Sequence, residues 1–129
     1  MTPSRPDITT ETDVKLLVDS FYAKVNQDAL LDPVFNGFAH VDWPKHLPNM
    51  YDFWSGLLLG TSRYLGRPFP KHIPLPIDAK HFQRWVALFH RTIDELFAGP
   101  KAEEAKLRGQ SIAQLFEVRL RERGSLSVL

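Results

Sequence analysis

The chain of 129 residues contains no cysteine. That absence removes disulfides, thiol nucleophiles, cysteine-ligated metal centres and attachment of a group through a C-x-x-C-H motif. Any metal must then rely on histidine, tyrosine or carboxylates. An excess of charge is missing as well, because 16 Lys and Arg stand against 15 Asp and Glu, for a formal net charge of +1. Such a balance implies no basic stripe for nucleic acid or an anionic membrane surface. No apolar run approaches the roughly 20 residues of a spanning helix, and the start, Met1-Thr-Pro-Ser-Arg-Pro6, carries no apolar signal-peptide core. The expected setting is therefore cytoplasmic, with neither nucleic acid nor membrane as partner. Histidine pairs of the H-x-x-x-H or H-E-x-x-H type are also lacking, which leaves a conventional zinc site little support.

What is present is a helical pattern cut by proline. The ten prolines at 3, 6, 33, 44, 48, 68, 70, 74, 76 and 100 leave 7–32, 77–99 and 101–129 free of the strongest helix breaker. In the first stretch Val14, Leu17, Val18, Phe21, Tyr22 and Val25 recur at helical spacing, with Thr12 as the expected cap. In the second, Asp78 is the cap and Phe82, Trp85, Val86, Phe89, Ile93, Leu96 and Phe97 form the apolar stripe. A third helix is expected from about Ala102 to Arg123, with Ala105, Gly109, Ile112, Phe116 and Leu120 inward. Between them Met50, Phe53, Trp54, Leu57 and Leu58 mark a helix ending near Gly60. Its start is disturbed, since the ring of Pro48 crowds the carbonyl of Pro44, and two short pieces or a kink are expected from Asp42. No internal repeat or alternating strand pattern occurs. The expectation is a single all-α domain over 1–129, with 1–9 and 125–129 as mobile tails.

Five histidines carry the chemical question. His40 falls in a loop, and His81 and His90 lie on a helix already supplied with aromatics, so solvated surface is expected for all three. His46 shares the inward face of Met50 and Phe53. His72 lies in the Gly- and Pro-rich connection from Gly60 to Pro76, long for so small a domain and hence a functional candidate. A lone histidine in such places is more often a hydrogen-bonded core residue than a ligand. Tyr22 and Trp85 shift that balance, because each puts a polar donor on an apolar stripe. Two inward donors, two imidazoles and several phenylalanines could line one cavity suited to a flat hydrophobic cofactor.

A family resemblance gives these residues roles. From Asp7 to about Leu120 the chain resembles the group III truncated haemoglobins, a bacterial globin family. The resemblance rests on Phe21-Tyr22-Ala-Lys-Val25, Pro33-Val-Phe35-Asn36, Asp42-Trp43-Pro-Lys-His46, Phe53-Trp54-Ser-Gly-Leu-Leu-Leu-Gly60, Tyr64-Leu-Gly66-Arg-Pro68-Phe-Pro-Lys-His72 and His81-Phe82-Gln-Arg-Trp85. It implies a truncated globin fold, a two-over-two helical sandwich around non-covalent haem b. Under it His72 becomes the proximal iron ligand, and Tyr22, His46 and Trp85 become the distal residues facing bound ligand. Phe35 and Phe53 would pack on the haem, with Phe38 competing for the place of Phe35, while Arg67 and Lys71 would hold the propionates. Pro68, Pro70 and Pro74 would restrict the loop around His72 before the metal binds. The implied ligands are O₂, CO, NO or cyanide. Binding alone, and a peroxidase-like or nitric oxide dioxygenase enzyme served by a separate electron donor, both remain open; the helices by themselves would also suit a cofactor-free interaction module. Placed between Pro44 and Pro48, His46 is further expected to act as a gate that swings outward when protonated, near an ordinary imidazole pKa of about 6.5.

Overall fold

The structure, a computed structural model, describes residues 5–38, 40–61, 63 and 78–123, with the backbone alone at 38 and 119–123. In chain order these form α1 (Glu11–Val25), a π-helical segment (Pro33–Phe38), α2 (Trp43–Leu59), α3 (Ala79–Leu96) and α4 (Pro100–Arg123). No strand occurs among the described residues.

The start of α1 shows why sequence spacing misplaces a cap by two residues. Thr10, not Thr12, is the cap: its hydroxyl accepts from the Asp13 amide at 3.2 Å and the Asp13 carboxylate accepts from the Thr10 amide at 3.0 Å. Only Thr10 has a carboxylate three residues on to complete this reciprocal pair. Part of the segment expected to be an N-terminal tail packs onto the helices. Ile8 is fully buried, the Pro6 carbonyl accepts the Ala98 amide at 2.9 Å, and the Asp7 carboxylate accepts the amides of Lys101 and Ala102 at 3.0 and 2.9 Å. Those amides belong to the first turn of α4 and have no partner within their own helix, so Asp7 ties the two ends of the fold together.

Where two pieces were one of the expectations, α2 is a single helix through Pro48. Pro44 occupies its first turn, where a missing amide proton costs nothing, and the carbonyl that Pro48 crowds lies in that same turn. The His46 amide bonds to the Asp42 carbonyl at 2.7 Å, so His46 lies within the first turn of α2. Gly60 closes α2 in the left-handed conformation, with φ of 76°.

As expected, Asp78 caps α3, accepting from the Lys80 amide at 3.0 Å. Two of the three histidines expected to be solvated are not. His81 Nδ1 accepts from the Asp78 amide at 3.1 Å, and His90 Nε2 meets the Lys106 carbonyl at 3.0 Å, joining α3 to α4; both residues are half-buried. They sit at the edge of the apolar stripe, where an imidazole covers apolar surface with its ring and reaches backbone with its nitrogen. His40 is exposed, as expected.

Helix α1 packs against α2 and α3, α3 against α4, and a smaller contact joins α2 to α4. The ring of Phe89 sits at their centre, with centroids 4.9 Å from Trp54, 5.1 Å from Phe21 and 5.3 Å from Trp85. From the fourth side α4 approaches through small residues, Ala105, Gly109 and Ala113. A Cβ on Gly109 would lie 2.6 Å from Phe89 Cδ2. Alanine is the better helix former by about 1 kcal/mol, but the ring it would strike is already fixed by three others. Gly109→Ala should therefore destabilise the protein, by about 1–3 kcal/mol in urea unfolding. A more stable variant would contradict this packing.

Candidate functional site

Adjacent residues on α1 face different neighbours. Phe21 enters the core against Phe89 and Trp85, while Tyr22, 2% exposed, turns toward the start of α2. The Tyr22 ring lies 5.2 Å from Trp43, 5.5 Å from His46 and 6.2 Å from Phe35. His46 meets it nearly edge-on, at 79°, and the His46 Nε2 atom is buried. The imidazole is thus turned inward, between Tyr22 and Trp43, on a helix that runs through Pro48.

Trp43 is the site residue that sequence reasoning passed over. Its ring stacks on Phe35 at 6.1 Å and meets His46 at 5.6 Å, and its Nε1 donates to Asn36 Oδ1 at 2.7 Å. A usable signal was present: Trp43 opens the helix three residues before His46, and side chains three apart on a helix are neighbours. Phe35 is buried, and Phe53 is half-buried on α2 with its ring edge-on to Trp54. Trp85 is buried too, but its ring contacts are with Phe21 and Phe89, so it joins Tyr22 through one intervening phenyl ring. His72, Arg67 and Lys71 lie outside the described residues, as does the side chain of Phe38.

One polar anchor fixes this corner. Asp28, buried between α1 and the π-helical segment, accepts the amides of Leu30 and Leu31 and, at 2.6 Å, the Nε of Arg84 on α3. Burial alone would raise its pKa; the Arg84 hydrogen bond, the amides and the Arg84 charge together bring it below the ordinary value. Tyr22, by contrast, is governed by burial alone, which pushes its phenol above the ordinary range and keeps the hydroxyl a proton donor.

The chain that folds into these helices matches a known family. Residues 7–117 match the bacterial-like globins. The chain is 33% identical over 105 residues to a group 3 truncated haemoglobin of Campylobacter jejuni, covering 78% of this chain and 83% of the relative. Its structure is similar to the crystal structure of group III truncated haemoglobin from Campylobacter jejuni, with a TM-score of 0.78 at 29% identity, over 90% of this chain and 94% of that one. The chain belongs to the bacterial-like globin family. It has the truncated globin fold, and haem is the cofactor of that family.

The described residues of this globin fit such a group. They offer one hydroxyl donor and one imidazole within an aromatic wall, and no cluster of three or more His, Cys, Asp or Glu that would hold a bare metal ion instead. Half-buried Phe53 and Leu57 on α2, and Phe82 and Val86 on α3, add apolar surface packed against the core.

The two described tyrosines should titrate differently. Tyr51 donates to Asp19 near the surface, and burial, followed by the Asp19 hydrogen bond and charge, pushes it up to about 12. Tyr22 is raised further into the range where only unfolding exposes it. A phenol raised in the folded state stabilises fully below the unfolded value of about 10, and that contribution fades as pH rises toward the folded value. In ¹³Cζ-tyrosine NMR the Tyr22 signal should stay fixed through pH 11, and Tyr22→Phe should flatten the loss of stability above about pH 10. A Tyr22 signal that titrates near 10 in the folded protein would contradict its burial.

Proposed function

We propose that this globin binds O₂, and other diatomic ligands such as CO and NO, reversibly at a non-covalent haem b, with His72 as proximal ligand and Tyr22 and His46 on the distal side. The observation that carries the reading is the pairing of buried Tyr22 with half-buried His46, with ring centroids 5.5 Å apart and the His46 Nε2 buried. Haem, when bound, would supply an iron atom that accepts diatomic ligands, and O₂ would gather more negative charge there than CO does.

The side chains around that space govern how the ligand is held. Tyr22 stays protonated and donates toward the ligand, since burial disfavours its phenolate. His46 presents a second nitrogen to the same space and closes it with Trp43. Trp85 is the third residue that the resemblance assigns to this side, and it supports the pair from behind Phe21. Phe35, Phe53, Leu57, Phe82 and Val86 supply apolar wall, which excludes water and strengthens each remaining hydrogen bond. Arg67 and Lys71 are the proposed propionate partners, by charge and by nearness to His72 in the chain. Any turnover of bound ligand draws electrons from a separate donor.

Tyr22→Phe keeps the ring and removes only the donor. A hydrogen bond worth about 1 kcal/mol, more toward a partly charged acceptor, slows ligand loss about 5- to 10-fold. The O₂ dissociation rate of the haem-loaded variant should rise by that factor in stopped flow, and CO dissociation should change less. Equal effects on both ligands would show steric control and sink the donor role.

A further inference from the structure

The Asn36 side chain makes more specific contacts than a turn requires. Its Nδ2 donates both to Asn26 Oδ1 at 2.8 Å and to Asp32 Oδ1 at 2.7 Å, and its Oδ1 accepts the Trp43 Nε1–H at 2.7 Å. With both amide protons directed at oxygen acceptors, the amide cannot turn over, and its carbonyl must face the indole. Each contact reaches a different part of the fold. Asn26 is the C-cap of α1, four residues after Tyr22; Asp32 precedes the π-helical segment; Trp43 is the first residue of α2, three before His46. A backbone bond from the Val41 amide to the Phe35 carbonyl, 3.0 Å, closes the intervening loop beside the same pair.

Trp43 relays this fixation to the site. Its ring is in contact with Tyr22, Phe35 and His46 at once. A half-buried indole could find any acceptor for its N–H, and water would do. This one is held by an amide that is itself locked to the end of the helix carrying Tyr22. We propose that Asn36 and Trp43 form one positioning unit for the distal pair: the Asn36 amide fixes the indole, and the indole fixes Tyr22 against His46. The inference rests on the distal reading of Tyr22 and His46 given above. Neither Asn36 nor Trp43 is a catalytic residue in it, because both act through that pair.

The test uses the haem-loaded full chain. Asn36→Ala keeps the indole and loses its anchor, and Trp43→Phe keeps an aromatic ring and loses the bond. Each should release O₂ about 3- to 10-fold faster, the equivalent of one neutral hydrogen bond or slightly more. Each should also shift or split the Fe–CO stretching band in resonance Raman and move the Tyr22 ¹³Cζ and His46 ring NMR signals. Because the two side chains act as a unit, the double variant should be little worse than either single one. If Trp43→Phe fails to fold, Asn36→Ala carries the same readouts alone.

A plain packing role would lower the thermal midpoint and leave the Raman band, the NMR signals and O₂ release at wild-type values; that result overturns the proposal, as would fully additive effects in the double variant. The underlying distal reading fails separately. If Tyr22→Phe leaves O₂ release unchanged while Asn36→Ala still moves the Tyr22 and His46 signals, the positioning unit stands and the ligand role of Tyr22 falls.

Discussion

Phe21 and Tyr22 are consecutive, and both are buried. Neighbours on an α-helix point about 100° apart, so burying two large rings in succession requires cover on two sides of α1. Helix α3 provides it over Phe21, through Phe89 and Trp85, and α2 over Tyr22, through Trp43 and His46. From that constraint the sandwich follows. With α1 wedged between two partners, α4 can close only on α3 and lightly on α2, and it comes near enough because Gly109 presents no Cβ to Phe89. The same wedge deprives the Tyr22 hydroxyl of solvent and holds it in the neutral, donating form. Stability and the proposed ligand chemistry thus share one packing contact.

Much of this could be read from residue spacing. The stripes of α1, α2 and α3 and the stops at Gly60 and Gly99-Pro100 are local signals, and helices form where those signals place them. Features that depend on a partner far along the chain were illegible. Thr12 resembles a cap as well as Thr10 does until the Asp13 carboxylate is counted. Asp7 reads as tail because its partners, Lys101 and Ala102, are 94 residues or more away. His81 and His90 read as surface because their acceptor and donor groups are backbone, which a side-chain pattern does not display.

The site was legible in its parts and less so in its assembly. Tyr22, His46, Phe35 and Phe53 were identified through the family resemblance, and Tyr22, Phe35 and His46 prove to lie side by side. Trp43 escaped notice because it precedes the apolar stripe of α2 among prolines that read as helix-breaking. Only the tertiary fold shows that this disturbed start carries an indole onto Tyr22 and His46, and that the π-helical segment places Asn36 to hold it. The two prolines, expected to loosen this region, fall in and just beyond the first turn of a helix that runs on past them.

The central claim is that the distal wall is built by α1, α2 and the π-helical segment, and needs no covalent tether from the proximal side. It is tested most directly in His72→Gly, reconstituted with haem in the presence of imidazole. The account predicts weak haem retention without imidazole, and with it a five-coordinate ferrous spectrum together with O₂ release at the wild-type rate, since Tyr22 and His46 are unchanged. Haem retention and a spectrum unaffected by the substitution would contradict the proximal assignment, and a rescued protein that loses O₂ many times faster than wild type would contradict the independence of the distal wall.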